Sequence, residues 1–122
     1  MTEQINVLVV EDNKELSKSL CGHLRDEGFR AIGAFTGEEA LAFVKKESFR
    51  IVILDLKLPK LSGFEVLKYI KKEFPAIKVI ILTAYADPMN ITMCKELGAD
   101  EVIAKPYDLS FLFDTVRRLV PG

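Results

Sequence analysis

Four short apolar runs leave this chain few ways to fold: "INVLVV" (5–10), "IVIL" (51–54), "VIIL" (79–82) and "VIA" (102–104). They are continuous rather than alternating and rich in Val and Ile, the pattern of strands covered on both faces, as in a parallel sheet. A weaker run, "RAIGAF" (30–35), falls between the first two. Helical stretches with start and stop signals separate the runs. Asn13 can cap a helix carrying Leu16, Leu20 and Leu24, which Gly28 would end. Thr36 with Glu39, and Ser62 with Glu65, have capping-box spacing ahead of apolar helix faces. Pro75 stops the third helix, and Asp87 followed by Pro88 opens a fourth, closed by Gly98. Asp108 can cap a fifth bearing Leu109, Leu112, Val116 and Leu119.

The order is therefore five strand–helix units. Strands alternating with helices need crossover connections, which place helices on both faces of a parallel sheet. The expected fold is α/β, a flavodoxin-like (βα)5 doubly wound parallel sheet with strand order 2-1-3-4-5. The 122 residues are expected to form one domain, 1–122, large enough to build a core without metal or disulfide. Ligands of such sheets sit beyond the carboxyl ends of the strands, near the point where strand order reverses.

That edge is where the chemistry collects. The first run is followed by Glu11 and Asp12, the third strand by Asp55, the fourth by Thr83 and the fifth by Lys105. Asp55 directly follows four apolar residues, a place where a carboxylate is costly unless it is paired or bound to a metal. Taken singly, an acidic pair after a strand is a solvated loop, a lysine before proline a turn residue, and a threonine a strand end. All of them falling at the ends of their own strands is a more specific pattern. Three carboxylates brought together repel one another unless a cation lies between them. Oxygen ligands in an open, hydrated site suit Mg²⁺. A cation and the Lys105 ammonium would neutralise phosphoryl oxygens, the Thr83 hydroxyl could donate to one of them, and Asp55 is the candidate nucleophile for in-line transfer to an acyl phosphate.

Other functions fit less well. An FMN site on this fold needs a loop of backbone donors after the first strand, where this chain has "VEDNKE", which repels phosphate. An aspartyl-nucleophile phosphatase of the DxD type needs a second carboxylate two residues on, where Lys57 stands. The formal net charge of −1 advertises no binding to nucleic acid or an anionic membrane surface. No apolar run approaches the ~18 residues of a membrane span. The start, "MTEQINVLVV", lacks a basic n-region and a small-residue cleavage site. The two cysteines, Cys21 and Cys94, form no metal spacing and are expected to be buried free thiols. These features favour the cytoplasm.

With "VLVVEDN", "ILDLKLPKLSG", "VIILTAY" and "KELGADEVIAKP" in this order, and an amphipathic helix closing the chain, the sequence resembles a response-regulator receiver domain of two-component signalling over essentially its whole length. The resemblance implies a regulatory phosphoacceptor that catalyses only its own phosphorylation and dephosphorylation. Asp55 would accept a phosphoryl group from a sensor histidine kinase or a histidine phosphotransfer protein. Asp12, Asp55 and the backbone carbonyl of Lys57 would bind Mg²⁺ directly, Glu11 would act through water, and Mn²⁺ is a substitute. Lys105 would contact the phosphoryl group and Thr83 would move to bond it. The Lys105–Pro106 bond is cis in this family, and Lys57 and Tyr85 match positions that border the phosphoryl group and affect access of water.

One position departs from the family. The aromatic side chain that commonly swings inward three residues before the lysine is here Val102. Output is then expected to run through the loop after Thr83 and the fourth helix. Met89, Ile91 and Met93 form a candidate apolar partner surface there, unless some of them pack on the sheet, and the downstream target is expected against helices four and five. The lone histidine, His23, has no expected catalytic role, though its helix by resemblance helps to dock the kinase. The chain ends just after the fifth helix. Lys57 and the missing aromatic favour a stand-alone or phosphorelay receiver over one cut from a longer regulator, and a receiver-like module acting without phosphate is the remaining alternative.

Overall fold

The computed structural model describes residues 4–120. Strands β1 (Asn6–Val10), β2 (Arg30–Ala34), β3 (Ile51–Asp55), β4 (Lys78–Thr83) and β5 (Glu101–Ala104) alternate with helices α1 (Lys14–Asp26), α2 (Gly37–Lys46), α3 (Gly63–Glu73), α4 (Pro88–Glu96) and α5 (Leu109–Leu119). All pairings are parallel, in the order β2-β1-β3-β4-β5. This is the doubly wound sheet that the apolar runs require. The expected domain limits at 1 and 122 lie outside the described residues. Among the described residues no helix is long and apolar enough to cross a membrane.

The continuous runs serve two cores at once, because successive strand side chains point to opposite faces. Leu8, Val10, Val52, Leu54, Val79 and Ile81 face one cluster, completed by Val66, Leu67 and Ile70 of α3 and Cys94 of α4. Val7, Val9, Ile51, Ile53, Ile80 and Leu82 face the other, completed by Leu20 and Leu24 of α1 and Leu112 and Val116 of α5. Both cysteines are buried and free.

The helix ends follow their signals. Asn13, Thr36, Ser62, Asp87 and Asp108 each accept a backbone N–H in the first turn of their helices, and Ser62 with Glu65 closes both bonds of a capping box. Gly28 and Gly98 take φ of +95° and +100° after α1 and α4. There Phe29 N–H bonds Leu24 C=O and Ala99 N–H bonds Cys94 C=O, the hydrogen-bond pattern of a glycine-terminated helix. One apolar position departs from the expected face. Leu16 is 53% exposed, and α1 turns Ser17, Leu20, Cys21 and Leu24 inward instead. Ser17 fits the inward place because Gly33 of β2 leaves room for it: a Cβ at Gly33 would lie 2.7 Å from Ser17 Oγ.

Candidate functional site

Parallel strands in step deliver their ends to one edge. Val10 is level with Leu54, Asp55 with Leu82, and Thr83 with Ala104. The next polar residues of β1 and β5, Glu11 and Lys105, therefore meet Asp55. Lys105 Nζ donates to Asp55 Oδ2 at 2.8 Å and lies 3.5 Å from Glu11 Oε1. The Lys57 backbone N–H donates to Asp55 Oδ1 at 3.0 Å. Each oxygen of Asp55 thus has a donor, and the carboxylate is fixed at the mouth of the sheet. Lys105 N–H bonds the Thr83 carbonyl at 2.8 Å, which anchors the root of that lysine to β4.

Glu11 is less well provided for. It is 8% exposed, and its Oε2 is buried with no hydrogen-bond partner among the described residues. Burial, followed by the hydrogen-bonding proximity and charge of Asp55, pushes its carboxyl up to about 7 against the partial relief of Lys105. Asp55 goes the other way. Burial alone would raise it, but the neighbouring Glu11 carboxyl together with the hydrogen bonds from Lys105 and the Lys57 N–H outweighs that and holds it below the ordinary aspartate value. Lys105 is likewise disfavoured by burial, yet its contacts with Asp55 and Glu11 hold its ammonium above the usual lysine range. Two carboxyls meeting a single ammonium, one pushed up and the other held down, mark a site short of positive charge.

Thr83 is fully buried, and its Oγ1 accepts the Tyr85 N–H at 2.9 Å, leaving the hydroxyl proton to donate. At the rim, Lys57 Nζ lies 3.4 Å from Tyr85 Oη and 5.8 Å from the ring centroid. Asp12, next to Glu11, is exposed. Val102 is half-buried and packs on the cluster that contains Cys94 of α4. The Lys105–Pro106 bond is cis. Met89 and Met93 are 75% and 42% exposed on α4, whereas Ile91 is half-buried. Exposed His23 lines a cavity of about 570 Å³ between α1 and the loop from β5 to α5. Glu11, Asp55 and Lys105 line the same cavity.

Among the described residues, no three Asp, Glu, His or Cys side chains are arranged to hold a metal by themselves. A cation here would need a backbone carbonyl and water alongside the carboxylates, which suits Mg²⁺ better than a caged metal. The orphaned Glu11 Oε2, an acceptor with nothing to accept from, fits such a hydrated ion.

Two residues of the site had not been singled out from the sequence. Gly63 opens α3, where its N–H bonds the Leu56 carbonyl at 3.0 Å. A Cβ at Gly63 would lie 2.5 Å from the Asp55 carbonyl oxygen and 2.5 Å from Leu56 Cα, so only glycine lets α3 brace this loop. A poor helix former in a first turn was the available signal. Tyr107, two residues beyond Lys105, is half-buried and lines the cavity. Only its place beside the Asp108 cap marked it.

Comparison with known proteins places this arrangement. The sequence model of the response regulator receiver domain matches residues 7–117. The chain is 37% identical over 115 residues to sporulation initiation phosphotransferase F of Bacillus subtilis, covering 94% of this chain and 93% of that protein. It is 33% identical to response regulator RR06 of Streptococcus pneumoniae, covering 95% of this chain but only 53% of that protein. It spans half of another relative, the regulatory protein DltR of Streptococcus agalactiae. Among solved structures, response regulator protein TrrA of Thermotoga maritima in complex with Mg²⁺–BeF superposes with a TM-score of 0.88 at 32% identity, covering 96% of this chain and all of that one.

Proposed function

The chain belongs to the response regulator receiver family of two-component systems, and on that premise we propose that residues 1–122 form one receiver domain in which Asp55 is the phosphoacceptor. The donor is a phosphohistidine of a sensor kinase or a histidine phosphotransfer protein. An Asp55 oxygen bonds to phosphorus as the phosphorus–nitrogen bond breaks, and the departing electron pair stays on the imidazole. Lys105 exchanges its contact with Asp55 for one with the phosphoryl oxygens. Thr83 releases the Tyr85 N–H and donates its hydroxyl proton to another of those oxygens. Asp12, Asp55 and the Lys57 carbonyl would hold Mg²⁺, or Mn²⁺ in its place, with Glu11 acting through water. When bound, the ion supplies the positive charge that offsets the clustered carboxylates and the incoming phosphoryl oxygens.

The observation that carries this reading is the held Asp55 carboxylate beside the unpartnered Glu11 Oε2. The TrrA complex with Mg²⁺–BeF supports the choice of cation. The similarity to a sporulation initiation phosphotransferase supports a phosphorelay role. A downstream protein would dock on α4 and α5, where Met89, Met93 and Phe111 are exposed. The domain then acts as a regulatory phosphoacceptor in the cytoplasm, where kinase phosphohistidines form.

Intact mass after incubation with acetyl phosphate tests the proposal. A single phosphoryl adduct is expected with Mg²⁺, none with EDTA, and none in Asp55→Asn. Absence of the adduct from the native protein, where a control receiver is labelled, would leave a module that acts without phosphate.

A further inference from the structure

The aromatic reporter that Val102 cannot supply has a candidate on the far side of the lysine. Tyr107 stands two residues after Lys105 and one before Asp108, the cap of α5. It packs on the cluster that contains Leu112. With Asp108 as the cap, Tyr107 and Leu112 occupy the two positions whose apolar contact fixes the angle at which a chain enters a helix. The same ring lines a cavity whose wall also includes Glu11, Asp55 and Lys105. A volume of about 570 Å³ bordered by Leu16, Leu20 and Leu109 offers the ring a second apolar berth without repacking the sheet. Burial raises its hydroxyl, and the opposing influences of Lys105 and Glu11 place it within the field of the acceptor site.

Resting on the phosphoacceptor reading, we infer that Tyr107 couples phosphorylation of Asp55 to the position of α5. In the free protein Lys105 is tied to Asp55 and Glu11. The new phosphoryl oxygens draw the ammonium outward, and the backbone carries that displacement through Pro106 to Tyr107. The ring then moves further into the cavity, and the first turn of α5 shifts with it. Phe111, 54% exposed in that turn, carries the change to the surface. Tyr107 is a positioning residue here and takes no part in the chemistry.

Fluorotyrosine labelling reads this directly, because the chain holds three tyrosines. The Tyr107 signal is assigned by its loss in Tyr107→Phe. The protein is phosphorylated with acetyl phosphate and Mg²⁺, and adduct formation is confirmed by mass on the same sample. The Tyr107 resonance should move while that of Tyr69, on α3, stays in place. The phosphorylation-dependent amide shifts of Leu109 to Leu112 should shrink in Tyr107→Leu, which keeps an apolar side chain at the helix entry and should still take the phosphoryl group. An adduct with an unmoved Tyr107 signal, or with α5 shifts unchanged in Tyr107→Leu, overturns the coupling and leaves the acceptor reading standing. Failure of the native protein to form the adduct removes both.

Discussion

The carboxyls of Glu11 and Asp55 share one lysine, and the sharing is unequal: Lys105 Nζ lies 2.8 Å from Asp55 and 3.5 Å from Glu11. The result is a measurable dependence on pH. Glu11 ordinarily titrates near 4.5 and here near 7. Between those values the native protein keeps a proton that the unfolded chain has released, so stability falls as pH rises through the window and levels off above it. One group can contribute a slope of at most about 1.4 kcal/mol per pH unit. Asp55 acts with the opposite sign and at lower pH, since its folded value is depressed and its stabilisation is lost on acidification. Urea unfolding in EDTA should therefore show Glu11→Gln gaining on the native protein as pH rises from 5 to 7; parallel curves would mean that Glu11 is not strained. The rim pair makes a second residue-scale prediction. Lys57 over the Tyr85 ring is an exposed latch worth about 0.5–1 kcal/mol, enough to change an open fraction roughly two- to fivefold. The acyl phosphate of a Lys57→Ala, Tyr85→Ala variant should have a half-life shorter by about that factor, and equal lifetimes would reject the shield.

The helices differ in how firmly they are held. α3 buries Gly63, Val66, Leu67 and Ile70, whereas α4 buries Cys94 alone. Elements with few buried apolar contacts open at low free-energy cost. Backbone amides of α4 should accordingly exchange with solvent faster than those of α3, and equal protection would contradict this ranking. The looseness bears on output, because Val102 packs on the cluster that includes Cys94, and the loop before α4 carries Thr83's partner Tyr85. Phosphorylation should therefore shift amide signals from Ala84 through Leu97; shifts confined to the residues touching Asp55 would sink that route. The caps of all five helices could be read from Asn13, Thr36, Ser62, Asp87 and Asp108, since a cap is a local bond between near neighbours. Leu16 could not, because periodicity does not register that Gly33 of β2 admits Ser17 instead. Gly63 was hidden for the same reason: its cause is the backbone of Asp55 and Leu56, which only the folded chain brings near.

At the scale of the molecule, strand order was legible because alternating strands and helices leave few unknotted arrangements. The meeting of Glu11, Asp55 and Lys105 then follows from polar residues placed directly after apolar runs. What sequence could not supply was the inequality among them, the orphaned Glu11 oxygen and the cavity beside Tyr107, all of which depend on distances. The site is also a property of the whole fold in an energetic sense. Glu11 and Asp12 follow β1 while Asp55 ends β3, so the carboxylates assemble only when these strands pair. An ion held by that assembly binds the native state and not the unfolded chain, and stabilises by mass action: about 2.7 kcal/mol at one hundred times its Kd. Thermal unfolding should rise by several degrees as Mg²⁺ is added, and continue to climb with the logarithm of its concentration. Asp12 is exposed, so Asp12→Asn should leave the metal-free transition nearly unchanged while removing most of the rise. A native transition indifferent to Mg²⁺, or a variant that responds as fully as the native protein, would show that these carboxylates do not hold the ion and that Glu11 must be relieved by some other partner.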